Sequence, residues 1–380
     1  MNILVLNAGS SSLKFKLIKM PQEIEIVKGE VSSIGEKNSL LKINGAIIKK
    51  QYLKHKEAIK KVLNLLSNYQ IDAIGHRVVH GGEKFNSATK ISPSIIKIID
   101  EFKKLAPLHN PINLQGIKAC QKLKPGIKQY AVFDTAFHQT IPKKAFLYAI
   151  PLKFYKEYKI RKYGFHGTSH KYVMLKASKL LKRTKPNLIT IHLGNGSSIT
   201  AIKKGLSIDT SMGFTPLEGL MMGTRSGNLD PGIIPFLEKE THYTTEEVES
   251  ILNKKSGLLG IDGCSDMKII HEKAMKGKCK TCELAIEMLV YDIVKYIGSY
   301  LLITSPLDAI VFTGGMGEHA YYIRKKVIDY LKPLGIKVNQ TANKRNKELI
   351  STSDSSVKIF MIKTDEELMI AKEIYDLIKK

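Results

Sequence analysis

The sequence predicts an α/β protein made of two related halves, and three observations carry that expectation. An apolar run, a glycine–serine turn and a second strand occur at Asn2 to Leu13 and again at Leu188 to Ile199. After the first hairpins, short apolar strands alternate with segments of helical spacing. At 380 residues, 43% of them apolar, the chain exceeds what one core usually holds, and two domains are expected.

Taken in order, Ile3 to Leu6 is a short apolar run of the kind buried in a sheet. Beyond the turn, Leu13, Phe15 and Leu17 alternate with Lys14 and Lys16, the period of a strand. Between them, Asn7-Ala8-Gly9-Ser10-Ser11-Ser12 offers backbone N–H groups and short hydroxyls, with the Lys14 charge beside it. Such a turn suits an anion; it is also an ordinary composition for a turn. No G-x-x-x-x-G-K-[ST] loop is present, and a strand rather than a helix follows the glycine. Residues 24–27, 40–43 and 46–48 read as further strands, and residues 55–66 have helical spacing. Residues 73–80 form a strand ending at Gly81-Gly82, Pro93 opens a helix to Leu105, and residues 129–133 form a strand. Asp134 stands at its carboxyl end, where open α/β sheets place their sites.

The second hairpin matches the first in its strand, glycine turn, paired Ser197-Ser198 and following strand. This is an internal duplication in which each half offers a phosphate-cradling hairpin toward a shared cleft. A third loop, Thr313-Gly314-Gly315-Met316-Gly317-Glu318, follows strand 309–312 and opens a helix to about Leu331. Its backbone amides suit a nucleotide. Residues 222–231, broken by glycines, form a loop. A capped helix follows Thr364, with Glu366 and Glu367 in its first turn. Those glutamates compensate a helix dipole or hold a metal. Arg77 and Arg225 flank glycine-containing segments in opposite halves, and a guanidinium fork suits a carboxylate or phosphoryl group.

Composition narrows the function classes. Against 35 acidic residues stand 60 basic ones, a formal charge of +25. The lysines are dispersed in pairs, with no basic tail and no aromatic nucleic-acid motif. A specific nucleic-acid partner is therefore not expected. No apolar segment reaches membrane-spanning length, and the first residues lack a secretory pattern, so a cytoplasmic protein is the expectation. Among the four cysteines, Cys279-Lys-Thr-Cys282 with Cys264 and His271 upstream matches no standard zinc spacing. Reduced, structural thiols are expected.

Several longer motifs carry a resemblance. Asn7 to Lys14, the run Gly164-Phe165-His166-Gly167-Thr168-Ser169-His170 and the loop Met222 to Pro231 resemble signatures of the acetate kinase family. That family belongs to the acetate and sugar kinase/actin superfamily. Arg77 to Gly82, Phe133 to His138, His192 to Gly196, Gly314 to Glu318 and Thr364 to Glu367 extend the likeness in order over nearly the whole chain. The resemblance implies an α/β fold of two duplicated actin-like (ribonuclease H-like) domains with a nucleotide cleft between them. Residues 1–138 plus 368–380 would form the first, and 139–367 the second. It also implies reversible phosphoryl transfer from ATP to acetate, giving acetyl phosphate and ADP and feeding acetyl-CoA formation. The family uses Mg2+, with Mn2+ as an admissible substitute, and a homodimer is implied.

Residue by residue, the resemblance gives Asn7 and Glu366 to the metal, and Ser10, Ser12 and Lys14 to the phosphates. His192, Leu193, Gly194, Asn195 and Gly196 would contact nucleotide. So would Asp266, Met267 and Lys268, and the run Gly314, Gly315, Met316, Gly317, Glu318 and His319. Arg77 would hold the substrate carboxylate; Arg225 and His166 would stabilise the transferring phosphoryl. Val79, Leu108, Phe165 and Pro216 would wall the methyl pocket with His109 close by, and Asp134 is the family's catalytic acid. Acetate, however, is already ionised at neutral pH and needs no base, so orienting magnesium or the arginines suits Asp134 better. Lys268 stands where the family usually has arginine, and residues 29–51 match loosely. A kinase for propionate or butyrate is the near alternative, since one methylene is worth only about 1–3 kcal/mol in an apolar pocket. An actin-like ATPase would share the frame without needing Arg77, His166 and Arg225.

Overall fold

The computed structural model describes every residue except Ser10, Pro107 and Leu108. Its strands are β1 (Asn2–Ala8), β2 (Leu13–Lys19), β3 (Ile24–Ser32), β4 (Leu40–Ile43), β5 (Ala46–Lys49), β6 (Ala73–Val78), β7 (Thr89–Lys90) and β8 (Lys128–Phe133). Then come β9 (Leu188–Leu193), β10 (Ser197–Lys203), β11 (Leu206–Thr210), β12 (Ala309–Thr313) and β13 (Lys358–Met361). The helices begin with α1 (His55–Leu65), α2 (Pro93–Glu101), α3 (Asn110–Leu123), α4 (Lys143–Phe146), α5 (Lys153–Tyr158), α6 (Gly167–Leu181), α7 (Ile233–Thr241) and α8 (Thr245–Lys254). They continue with α9 (Gly257–Asp262), α10 (Met267–Met275), α11 (Lys280–Thr304), α12 (Gly314–His319), α13 (Tyr321–Leu331), α14 (Gln340–Lys344) and α15 (Glu366–Lys379).

Two compact units result. The first comprises Met1–Gln139, Gly167–Ser169 and Asp365–Lys380; the second comprises Thr140–His166 and His170–Thr364. In the first unit, eight strands form one sheet in the order β5-β4-β3-β2-β1-β6-β8-β7. Strand β1 shows why its sequence lacks alternation. Ile3 and Val5 pack on one face with Ile370, Ala371 and Ile374 of α15. Leu4 and Leu6 pack on the other with Ala58, Ile59 and Val62 of α1 and Ala119 of α3. A strand covered on both faces reads as a continuous apolar run.

The second unit has five strands in the order β11-β10-β9-β12-β13. Strand β9 pairs antiparallel with β10 and parallel with β12, which is itself parallel to β13. In the first unit β1 likewise pairs antiparallel with β2 and parallel with β6, which is parallel to β8. The order β3-β2-β1-β6-β8 is thus repeated as β11-β10-β9-β12-β13, and the duplication read from two hairpins extends to the sheets. Ile191, Leu193 and Phe312 form a core with Ile286, Leu289 and Ile293 of α11 and Ile323 and Val327 of α13.

Three local expectations need correction. The helix opened by Pro93 stops at Glu101, and its next turn tightens into a 3-10 segment, Phe102–Lys104. The helix after the third glycine loop breaks at Ala320 into α12 and α13. Cys279 and Cys282, expected as reduced thiols, form a disulfide. Cys279 is the residue capping α11 and Cys282 lies in its first turn, so residues three apart face one another. Cys120 and Cys264 are free. Among the described residues, no helix is long and apolar enough to cross a membrane.

Candidate active site

In the first unit the predicted groups gather where β1, β6 and β8 end and α15 begins. Arg77 Nη2 donates to Asp134 Oδ2, while Thr168 Oγ1 donates to Asp134 Oδ1 at 3.3 Å. The Gly167 amide donates to the Asp134 carbonyl at 2.9 Å. Asp134 is therefore committed on each side chain oxygen, a geometry that holds a guanidinium in place. Burial alone would lower the Arg77 pKa, but Asp134 beside it, with Glu366 and Glu367, holds it above the ordinary value. Arg77 Nε is buried and has no hydrogen-bond partner among the described residues. A buried donor without a partner is costly, and a carboxylate or phosphoryl oxygen would satisfy it.

Asn7 Nδ2 donates to Glu366 Oε2 at 3.3 Å and to Glu367 Oε1 at 3.0 Å. Burial, then the charges of Asp134 and Glu367, push the Glu366 carboxyl up to about 7, although Arg77 and Lys14 oppose this. Crowded carboxyls beside an amide form a hard-oxygen set, and a divalent cation binding there would relieve their repulsion. Magnesium typically takes only one or two protein carboxylates, completing its shell with water and phosphate. The donors present fit such an ion.

The first turn is tied down from outside: His55 Nε2 lies 2.8 Å from the Gly9 carbonyl. Inside the turn the Gly9 amide donates to the Ser12 carbonyl at 2.9 Å. Lys14 stands exposed on β2, whereas Lys16 is held by Asp365 at 2.8 Å and Glu25 at 3.3 Å. Val79 is buried, and His109 immediately precedes α3. Ser10 and Leu108 lie outside the described residues.

In the second unit, β9, β10 and the long loop after β11 bring His166, His192, Gly196 and Arg225 together. A methyl group on Gly196 would come within 3.3 Å of the His166 ring and 3.4 Å of Arg225 Nη1. Any side chain at 196 would crowd both groups, so glycine eases their approach to that backbone. The His166 and His192 rings stack with centroids 4.3 Å apart. His166 Nδ1 lies 2.9 Å from Ser198 Oγ, which lies 2.7 Å from His170 Nε2. Arg225 Nη1 donates to the Pro216 carbonyl at 3.3 Å, and the Gly223 amide donates to the Asn195 carbonyl at 3.1 Å. Phe165 is buried beside His166 in sequence.

A cavity of about 860 Å³ opens in this same unit, the size of pocket that encloses a drug-sized ligand. Gly194 and Asn195 line it, with Asp266, Met267 and Lys268 at the start of α10 and Gly315, Met316 and His319 on α12. Other expected nucleotide residues stand behind that wall. Leu193 is core, and Gly314 packs against the Leu193 backbone. Gly317 is buried. Glu318 Oε1 accepts from the Gly314 amide at 3.2 Å and the Thr364 amide at 3.1 Å. The Asp266 carboxylate is occupied as the α10 cap, accepting from the Lys268 amide at 2.8 Å.

Several residues that shape these sites were not read as part of them from the sequence, where His271 stood out only beside the cysteines. His271 and Tyr322 stack with centroids 3.4 Å apart and line the cavity, so a flat ring pair is present although Lys268 replaces the family's arginine. Arg324, fully buried, donates to the Gly317 and Glu318 carbonyls at 2.7 and 3.0 Å and to Asn343 and Asn346. It clamps the carbonyl end of the glycine loop. In the first unit, Asn113 accepts from the Val79 amide at 3.2 Å and donates to the Ala8 carbonyl at 3.1 Å, joining two strand ends. Asn110 brackets the His80 backbone. A lone asparagine or arginine on an amphipathic helix looks like solvent-facing polarity, so nothing in the pattern could single these out.

Comparison with known proteins decides the family. The model of the acetokinase family matches residues 2–372. The chain belongs to the acetokinase family. It is a kinase, and ATP-dependent phosphorylation of acetate follows from that membership. An acetate kinase of Carboxydothermus hydrogenoformans is 52% identical over 396 residues, covering 100% of this chain and 99% of the relative. The crystal structure of Porphyromonas gingivalis acetate kinase superposes with a TM-score of 0.92 at 42% identity, covering 99% of each chain. That of a propionate kinase from Francisella tularensis gives 0.95 at 44% identity, covering 98% of each.

Proposed function

We propose that this acetokinase moves the γ-phosphoryl group of ATP directly and in line onto the acetate carboxylate, with Mg2+ bound, giving acetyl phosphate and ADP. The observation that carries the substrate assignment is Arg77, held by Asp134 through Nη2 with its buried Nε still lacking a partner. Nε and the remaining guanidinium donors would take the acetate carboxylate. Val79, Phe165 and Pro216, with Leu108 and His109, would enclose the methyl group.

The obstacle is electrostatic. Two unit charges about 4 Å apart at an effective dielectric near 20 repel by roughly 4 kcal/mol, about a thousandfold in rate. Arg77 offsets the charge of the acceptor, while Arg225 and His166 meet charge on the equatorial oxygens of the transferring group. Asp134 positions Arg77 and is not required as a base. Asn7 and Glu366 would hold Mg2+, or Mn2+ in its place; bound there, the ion would neutralise phosphate charge. Ser10, Ser12 and Lys14 would contact phosphates, and the cavity beside His271 and Tyr322 would take the nucleoside.

The proposal includes a cytoplasmic site of action, a supply of acetyl phosphate toward acetyl-CoA, and a homodimer. Leu302, 83% exposed, and Tyr291, 60% exposed, both on α11, provide apolar surface of the sort self-associating faces use. No specific nucleic-acid partner is included. Hydroxylamine trapping decides the reaction: ATP, Mg2+ and acetate should yield acetyl hydroxamate, and its absence would refute the assignment. Run with propionate and butyrate, the same assay ranks acyl chains by kcat/KM. Acetate should lead propionate by about 10–200-fold if the pocket is closed around a methyl group; parity would open it to longer acids.

A further inference from the structure

The Cys279–Cys282 disulfide lies at the start of α11, against a carboxylate that no part of the kinase chemistry uses. Asp262 Oδ1 is 3.3 Å from Cys279 Sγ and 3.0 Å from Cys282 Sγ. It also accepts from Thr281 Oγ1 at 2.9 Å. The Asp262 side chain is only 2% exposed, with Lys273 Nζ 3.8 Å from Oδ2, and that oxygen has no hydrogen-bond partner among the described residues. Together the carboxylate and the two sulfurs form one tight cluster.

A disulfide has no proton to give, so in the oxidised state a buried carboxylate faces two sulfurs without a hydrogen bond from either. In the dithiol state an S–H group, Cys282 being the nearer at 3.0 Å, can donate to Oδ1 beside Thr281. Hydrogen bonds to a charged acceptor are the stronger class, so Asp262 favours the reduced pair and makes this disulfide easier to open. Access is one-sided: Cys282 is fully buried, while Cys279 is partly exposed.

Asp262 is also the final residue of α9. Gly263 and Cys264 follow, and then Ser265 and Asp266, which line the cavity assigned to the nucleotide. A change in what Asp262 bonds is thus only three residues from the cavity wall.

We propose that Cys279–Cys282 is a thiol–disulfide exchange site whose redox state sets nucleotide affinity; the second clause rests on the cavity being the nucleotide site. The reactant class is a dithiol. Its thiolate attacks Cys279 Sγ, the bond to Cys282 breaks, and Cys282 leaves as a thiolate that takes up a proton. The dithiol's second sulfur then displaces Cys279 from the mixed disulfide, and Cys279 is protonated in turn. Two electrons and two protons pass to the protein, and the dithiol leaves as a cyclic disulfide. Exchange of this kind depends on access and on the departing thiol.

The full chain equilibrated in buffers of reduced and oxidised dithiothreitol tests this. Alkylation in denaturant, counted by mass, should label all four cysteines in the reduced limit and only Cys120 and Cys264 in the oxidised limit. Calorimetric Kd values for ADP should differ between the limits by about fivefold or more, a typical coupling. Cys279→Ser should hold one Kd in both buffers, and Cys264→Ser should keep the response. Asp262→Asn should shift the midpoint toward more reducing buffers. A pair that never oxidises, an equal Kd in both limits, or a response surviving in Cys279→Ser would overturn the proposal. ADP failing to bind in either limit would instead overturn the cavity assignment.

Discussion

A carboxyl group that titrates near 7 in the fold and 4.5 outside it leaves a mark on stability. Between those values, folded Glu366 keeps a proton that the unfolded chain has released. Its contribution is therefore most favourable below the unfolded value and falls as pH rises through the window up to about 7. In ligand-free protein, Tm should decline over that window, and Glu366→Gln should flatten the decline. Parallel profiles for the two proteins would contradict the enclosed, crowded setting of this group. At Arg225 the effect belongs to turnover: Arg225→Ala should lower kcat by about 10²–10³ with little change in ATP KM. A change confined to KM would place the side chain on the ground state instead. These residues were legible because each sits in a stretch that resembles a family signature, Arg225 in Met222 to Pro231 and Glu366 in Thr364 to Glu367. Orienting an arginine was already the better reading of Asp134, and Arg77 is the one it holds; what the motifs left unread was its second partner, Thr168.

Strands were easier to read than helix ends. The hairpin 2–19 shows its period because one face of β2 meets solvent, and the run Ile3 to Leu6 is apolar because β1 is covered twice. The break at Ala320 was not legible, since Tyr321 to Leu331 continues the same spacing and tertiary contacts set the stop. Arg324 bridges the break, its donors reaching back to the Gly317 and Glu318 carbonyls. In the same glycine loop Gly314 has φ of +78°, and a methyl group there would come within 2.7 Å of the Leu193 carbonyl oxygen, so glycine is required at that position. Arg324→Met should leave several buried acceptors without donors, each costing about 1–3 kcal/mol. It should also raise ATP KM more than it lowers kcat. Normal stability with normal ATP KM would show that the loop holds its shape unaided. The disulfide was misread for a related reason: spacing shows where two cysteines lie in sequence, while only the helix start aims their sulfurs at each other.

The duplicated architecture was visible in two short stretches, and the family resemblance implied a first domain that takes up the last residues of the chain. The first unit draws on Met1–Gln139 and again on Asp365–Lys380, with the second threaded between. Ile370, Ala371 and Ile374 close the face of the first sheet occupied by Ile3 and Val5. Removing residues 365–380 should strip that face, leaving the first unit open to protease while the second keeps its cooperative core; equal resistance of both would contradict the packing. The same arrangement sets an order on synthesis. A ribosome delivers β1 at the outset, but the helix that seals it emerges only after the second unit has been made. For most of translation the opening sheet must wait with an oily side uncovered, which makes it the part of the nascent chain with most need of a holding chaperone.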